Sequence, residues 1–143
     1  MARRAAVQAL YQWQLTHQAP QDIETHYSLD HELEGIDVAY FHELVSQIPL
    51  HQHELDDQLI PHLDRELEDV DPVERAILRI GAYELEFRAE IPYKVVLNET
   101  VKLAKTFGAE HGHRYVNAVL DKVASTLRAR EIDAERAPSS TTT

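Results

Sequence analysis

The chain has 143 residues, 43% of them hydrophobic, with a formal net charge of −11 and no cysteine. This length and apolar content suit one domain with a sizeable core, and the missing cysteine excludes disulfides, thiolate metal ligands and a nucleophilic thiol. No apolar run approaches the ~20 residues that span a bilayer, and the first residues lack the apolar stretch of a signal peptide. We therefore expect a soluble, cytoplasmic protein.

The charge is unevenly distributed along the chain. Residues 1–21 carry two arginines and no acid, residues 22–69 carry fourteen acids against Arg65 alone, and residues 70–143 carry eleven of each. The net charge argues against a nucleic-acid partner, yet a mildly basic side of such a molecule can still guide a phosphate backbone. A solvated acidic helix face explains the acidic segment but not the acid-free N-terminus.

Apolar residues recur at three- and four-residue spacing through most of the chain, which predicts helices. The first covers residues 2–18 with Pro20 just past its end, and a second is expected around residues 23–33. Asp37 is placed to cap a third helix, which Pro49 stops.

The spacing continues over residues 51–67, with a kink or break expected at Pro61. The clearest helix start follows as a capping-box arrangement: Asp71 at the N-cap, Pro72 at the first helical position and Glu74 at the third. The helix from there to about residue 88 is apolar over most of its circumference, as in a central helix. Gly81 within it permits the close approach of a neighbouring helix.

Two more helices are expected, over residues 92–107 with Gly108 as the C-cap and over residues 112–128. Residues 129–143 lack apolar periodicity and are expected to be disordered. The predicted fold class is all-α, a compact bundle of six to seven helices in one domain over residues 1–128.

The chain shows no pattern typical of a catalytic or metal site. The nine histidines include the close pairs His51/His53 and His111/His113, but neither pair has a known zinc spacing. Phosphate-binding, dinucleotide-binding and nucleophile-elbow motifs are absent from the sequence. We expect a protein that is not an enzyme and that uses no metal or cofactor.

Six segments, in order along residues 1–128, resemble the NusB family. They are residues 4–14 (RAAVQALYQWQ), 37–41 (DVAYF), 73–85 (VERAILRIGAYEL), 91–99 (IPYKVVLNE), 103–108 (LAKTFG) and 115–122 (YVNAVLDK). The fold also resembles an N-terminal domain of some ribosomal-RNA cytosine methyltransferases. Because no catalytic domain accompanies these segments, a free-standing factor is favoured.

The resemblance implies two packed helical subdomains and a role in transcription antitermination. Such proteins bind the boxA element of ribosomal-RNA leader transcripts with a small-subunit ribosomal protein, NusE, and help RNA polymerase to resist termination. They occur as monomers or homodimers and need no cofactor.

The resemblance also nominates RNA-binding residues. The candidates are Arg3, Arg4, Gln8, Tyr11, Glu74, Arg75, Arg79, His113, Arg114 and Tyr115. Arginines bind phosphates, tyrosines stack on unpaired bases, and a carboxylate accepts hydrogen bonds from base amino groups.

Six of these candidates also have a structural interpretation. Tyr11 can belong to the core, Glu74 can act only as a cap, and Arg75 and Arg79 can pair with acids of residues 22–69. His113 and Arg114 can form an ordinary solvated helix start. Two functional alternatives also remain: a protein-interaction module that docks its acidic face without RNA, and a methyltransferase accessory domain.

Overall fold

The computed structural model describes residues 2–29, 35–108 and 112–136, and every regular element among them is helical. The α-helices are α1 (Ala2–Thr16), α2 (Pro20–Leu29), α3 (Val38–Leu50), α4 (Gln52–Leu59), α5 (Pro72–Phe87), α6 (Tyr93–Phe107), α7 (Gly112–Leu127) and α8 (Ala129–Arg136). Short 3₁₀ turns cover Ile60–His62 and Leu67–Asp69. The all-α class is confirmed, but the described residues form eight α-helices, not six or seven.

The additional helix is α8, which replaces the first part of the expected disordered tail. Ile132 of α8 is buried, at 8% exposure, and the Glu131 carboxylate accepts a hydrogen bond of 2.8 Å from the Tyr93 backbone N–H. One apolar residue produces no periodicity, so the sequence pattern did not reveal this helix. The rest of the expected tail, residues 137–143, lies outside the described residues, as do residues 30–33 of the second expected helix and His111.

The prolines act as expected at one position and differently at another. Pro61 lies in the 3₁₀ turn directly after α4, so the predicted break is confirmed, and the helix expected to reach residue 67 ends at Leu59. Pro49 lies inside the last turn of α3 and not after it. Because α3 ends one residue later, the missing proline N–H removes only one hydrogen bond near the helix end.

Two predicted N-caps are confirmed. Asp37 accepts a hydrogen bond of 3.0 Å from the Tyr40 N–H at the start of α3. Asp71 accepts bonds of 2.9 and 3.2 Å from the N–H groups of Val73 and Glu74 at the start of α5. Both carboxylates satisfy N–H groups that have no partner inside their helix.

Helix α5 is the central helix of the fold, packed against α1, α6 and α7. Every residue from Ala76 to Leu85 is buried. At Gly81, an added Cβ would lie 2.4 Å from Leu120 Cδ1 of α7 and 3.2 Å from Thr100 Cγ2 of α6. The expected close approach at Gly81 is therefore confirmed, and both neighbouring helices take part in it.

Arg128, between α7 and α8, satisfies the C-terminal end of α5. Its guanidinium donates to the carbonyls of Leu85 at 2.8 Å, of Glu84 and Arg88 at 3.1 Å each, and of Ile91 at 2.9 Å. The last carbonyls of a helix have no partner within the helix, and a basic side chain near them is stabilising. Arg128 is only 6% exposed, so it contributes nothing to a basic surface.

A valine at Gly81 is expected to destabilise the protein. Its branched side chain would collide with Leu120 and Thr100, and overpacking of this kind costs roughly 1–3 kcal/mol. The free energy of unfolding in urea measures the effect. Ala118→Val, at an exposed position on α7, is the control and should cost less than about 1 kcal/mol. Adding Leu120→Ala to Gly81→Val should recover part of the loss if the collision is the cause; strictly additive losses would contradict this packing.

Candidate nucleic-acid interface

One face of α1 carries three of the predicted RNA-binding residues. Arg4, Gln8 and Tyr11 are exposed and spaced by four and three residues, which aligns them along one side of the helix. The opposite side is buried in the core through residues such as Ala6 and Leu10. Tyr11 is 38% exposed, so it is a surface residue and the core alternative does not apply.

Tyr11 lines an apolar groove of about 550 Å³. Its other walls include Leu15 of α1, Val73 at the start of α5 and Phe107 at the end of α6. A flat tyrosine ring beside exposed apolar side chains is a surface on which an unpaired base can stack.

A basic groove of about 430 Å³ adjoins the apolar one, with α1 and α6 as its walls. It is lined by Arg3, Arg4, Lys102 and Lys105, with Glu99 as its one acidic residue. The Lys102 ammonium lies 3.9 Å from the Glu99 carboxylate, a loose contact between side chains that are 70% and 36% exposed. Neither lysine was nominated as a binding residue from the sequence.

Arg3 is placed differently from Arg4. Its Nε donates to the Glu84 carboxylate at 2.8 Å, and the Tyr40 hydroxyl donates to the same carboxylate oxygen. Glu84 is fully buried. Burial, followed by the nearby Glu84 charge, raises the pKa of Tyr40 well above its usual range, so its hydroxyl stays protonated and donates. Arg3 thus compensates a buried charge, a structural role that the sequence did not reveal.

Glu74 lies where α5 and α7 begin side by side. It is 9% exposed, and an added Cβ at Gly112 of α7 would lie 3.2 Å from its carboxylate. Within α5 and its cap, Asp71 bonds to Glu74 N–H but no return bond runs from Glu74 to Asp71 N–H, so the capping box is only half formed. Burial, and secondarily the Asp71 charge, raises the pKa of Glu74.

Tyr115 in the first turns of α7 is partly exposed, with the Arg65 guanidinium 4.9 Å from its ring centroid. Arg65 also bonds the neighbouring Asp64 at 2.7 Å. The Tyr115 hydroxyl oxygen is shielded from solvent, and this burial raises its pKa. Arg65, the one lysine or arginine of residues 22–69, therefore lies on the same surface as Tyr115, a predicted stacking residue.

His113 and Arg114 accompany Tyr115 on the first turn of α7. His113 is partly exposed and Arg114 is exposed. Among the described residues, neither forms an ion pair within 4.0 Å. Both are placed to meet a ligand that approaches this end of the bundle.

Arg79 is an internal residue of the fold. Its guanidinium forms two bonds of 3.0 Å to the Asp56 carboxylate and one of 2.9 Å to Gln14 Oε1, and it is 5% exposed. The Trp13 ring covers it at 5.5 Å. Arg79 therefore pairs with Asp56, an acid of residues 22–69, which is the structural interpretation offered for it from the sequence.

Arg75 lies one turn before Arg79 on α5 and is half-buried without an acidic partner among the described residues. Its contact with the protein is a 3.5 Å bond from Nη1 to the Leu67 carbonyl. Burial, followed by the like charge of Arg79, lowers the pKa of Arg75. It faces the side of α1 opposite to Tyr11, where it lines a separate pocket with Trp13 and Arg79.

The predicted residues thus fall into distinct places. Arg4, Gln8 and Tyr11 lie on the α1–α6 surface, and Glu74, His113, Arg114 and Tyr115 lie at the adjoining starts of α5 and α7. Arg75 and Arg79 lie elsewhere, and Arg3 lines the basic groove beside Arg4 while its Nε is bonded to Glu84. The described part of the chain contains no cluster of three or more residues suited to hold a metal ion. In the same part, no helix combines the length and apolar character needed to cross a membrane.

Sequence comparisons identify the family of the chain. The profile of the NusB family matches residues 1–125. The chain belongs to the NusB family. It is 59% identical to the transcription antitermination protein NusB of Nitrosococcus oceani, over 91% of this chain and 87% of that protein. The proteins of the same name from Shewanella amazonensis and Pasteurella multocida are 54% and 49% identical, covering 85% and 88% of this chain and 91% and 88% of theirs.

Glu74→Gln is expected to stabilise this NusB-family protein at neutral pH. Because the folded-state pKa of Glu74 lies above its ordinary value of 4.5, Glu74 favours the folded state when protonated and loses that contribution as pH rises through the folded-state pKa. The Tm difference between variant and parent should be positive at pH 7 and shrink as pH falls below 4.5. Glu66→Gln, at an exposed position, is the control. A Tm difference for Glu74→Gln that is independent of pH would rule out the burial effect.

Proposed function

We propose that this chain is a non-catalytic transcription antitermination factor that binds boxA RNA of ribosomal-RNA leader transcripts with the ribosomal protein NusE and RNA polymerase. Membership of the NusB family supports this proposal, since the matched relatives are named transcription antitermination proteins. The observation that carries it is the strip along α1 and α6, where a basic groove continues into an aromatic one.

The strip matches the chemistry of a single-stranded RNA. Arg4, Lys102 and Lys105 supply cations for backbone phosphates, and Tyr11 supplies a ring for a base. Along α1, Arg4 and Tyr11 are about 10 Å apart at 1.5 Å per residue, a distance that one or two nucleotides can span. The cations are local, so they attract phosphate despite the overall charge of −11.

The adjoining starts of α5 and α7 extend the proposed RNA surface. Glu74 has a carboxylate without a donor among the described residues, which suits base amino groups. Tyr115 and Arg65 present a ring and a guanidinium plane that can stack with bases, and His113 and Arg114 add donors for phosphates. In this proposal Arg3 positions α1 and does not contact RNA.

A protein partner suits another face. A groove of about 480 Å³ between α4 and the two 3₁₀ turns is lined by the acids Asp56, Asp57, Glu66 and Glu68, with Arg65 as its one arginine, around apolar residues such as Ile60. A basic protein would complement this charge. The face also supports the second candidate function, a protein-interaction module that never binds RNA. Equal partner recovery after nuclease treatment, without RNA crosslinks at Tyr11 or Tyr115, would favour that module.

Removal of single cations is expected to change the salt dependence of RNA binding. Titration of the protein with boxA-type RNA at several salt concentrations gives the slope of log K against log salt. Arg4→Met and Lys102→Met should each weaken binding and reduce the slope by about 0.7, the value for one phosphate on a single strand. Arg130→Met, at an exposed position on α8, is the control. Arg3→Met should lower the Tm yet leave the slope unchanged.

Failure to bind RNA at any salt concentration, with and without the ribosomal protein, would contradict the proposed function. If RNA binds but the slope is the same for Arg4→Met, Lys102→Met and Arg130→Met, the proposed function stands, and the assignment of RNA binding to the α1–α6 strip is wrong.

Tyr11→Ala is expected to weaken RNA binding by about 1–3 kcal/mol, the typical contribution of one stacked base. Tyr11→Phe keeps the ring and should bind within about twofold of the parent, since stacking on a π-face does not need the hydroxyl. Fluorescence anisotropy of labelled RNA measures both, and circular dichroism verifies the fold. Equal losses in the two variants would show that the hydroxyl, and not the stacking ring, makes the contact.

A further inference from the structure

We propose that the pocket between α1, α4 and α5 binds a single oxyanion group, phosphate or carboxylate, on the guanidinium of Arg75. The pocket has a volume of about 250 Å³. Its lining includes Trp13, His17, Asp56, Glu68, Arg75 and Arg79. This site is separate from the α1–α6 strip, so it does not depend on the proposed RNA function.

The donors of Arg75 are largely unused. Its Nε is shielded from solvent and has no hydrogen-bond partner among the described residues. Its Nη1 makes only the 3.5 Å bond to the Leu67 carbonyl, at the limit of a hydrogen bond, and Nη2 makes none to a described residue. A guanidinium favours bidentate partners such as carboxylate and phosphate, and none of the neighbouring acids supplies one.

The other charges of the pocket leave room for an anion. Asp56 is occupied by the two bonds from Arg79, so this pair is internally neutral and its geometry is fixed. Gln14 is likewise fixed, accepting from Arg79 and donating to the Pro72 carbonyl at 2.8 Å. Glu68 at the exposed rim is the remaining acid of the lining, and His17 adds an imidazole ring whose N–H can donate a hydrogen bond. In this pocket Arg79 and Asp56 already neutralise each other, so the charge of Arg75 remains available for an anion.

The surroundings favour one compact anion over a nucleic-acid strand. The adjoining groove carries Asp57 and Glu66 in addition to Glu68, all three exposed, and its one arginine, Arg65, is paired with Asp64. These carboxylates repel a long polyanion, whereas one oxyanion inside the pocket lies close to Arg75 and farther from them. The source of the oxyanion is then a free phosphate or a carboxylate group, two forms of the same chemistry.

The chain supplies its own probe, because its single tryptophan, Trp13, lines the pocket. We would titrate the full chain with sodium phosphate, and separately with sodium acetate, against sodium chloride at matched ionic strength and pH 7. A saturable change in Trp13 emission is expected with phosphate, acetate or both, together with a rise in Tm that grows with the logarithm of concentration. Response to phosphate alone identifies a phosphate source, and response to acetate identifies a carboxylate source.

Two variants with opposite expected effects test the assignment. Arg75→Met should raise the dissociation constant for the responding anion at least tenfold, and Glu68→Gln should lower it by removing the repelling carboxylate at the rim. Arg130→Met, which keeps the pocket intact, should leave it unchanged. Circular dichroism and the Tm without anion show whether each variant folds.

The proposal is overturned if the emission change is linear and unsaturable for both anions, or if Arg75→Met binds as tightly as Arg130→Met. If Arg75→Met fails to fold, Glu68→Gln decides alone: no gain in affinity overturns the proposal. An unlabelled boxA-type RNA added to the phosphate-saturated protein should not restore the original emission. Restoration would show that a nucleic-acid strand enters the pocket, and the preference for a compact anion would be wrong.

Discussion

The position of α1 depends on a buried carboxylate. Glu84 is fully enclosed on the central helix, and an unpaired charge in that place would be costly. Arg3 and Tyr40 meet it from α1 and α3, which ties both helices to α5 at one end. At the other end, Gln14 of α1 bonds the Pro72 carbonyl at 2.8 Å and accepts from Arg79. Helix α1 is thereby fixed at two points along α5, and the proposed RNA surface and the Arg75 pocket both have α1 or α5 as a wall.

Features set by neighbours in the sequence could be predicted. Asp37 and Asp71 cap helices because their side chains reach N–H groups two or three residues ahead. Pro61 ends α4 through its own ring, and Gly81 marks a close approach because it lacks a Cβ. These signals need no knowledge of the fold. The same reading failed for α8, where Ile132 and Glu131 are stabilised by contacts with distant residues and not by a periodic apolar face.

Features set by distant partners could not be predicted. Arg3 and Glu84 are 81 residues apart, and Arg79 and Asp56 are 23 apart, so nothing local distinguishes a paired arginine from a free one. The sequence therefore grouped Arg3 with Arg4, although adjacent residues on a helix point in different directions: Arg4 is exposed, whereas Arg3 is partly buried and paired with Glu84. Lys102 and Lys105 were not nominated, because they are distant from Arg4 in the sequence and only the fold shows that α6 lies beside Arg4.

The cap that Arg128 places on α5 has a consequence for synthesis on the ribosome. The carbonyl of Leu85 receives its donor from a residue 43 positions later. The carbonyl of Glu84, which also accepts from the Arg88 N–H, receives a second donor from the same residue, 44 positions later. Until that arginine emerges from the exit tunnel, the nascent central helix ends in exposed acceptors and lacks the α7 packing that covers Gly81. The end of the central helix is therefore completed only after residue 128 has emerged, and a ribosome stalled shortly before codon 128 would hold a chain whose central helix is still open at one end.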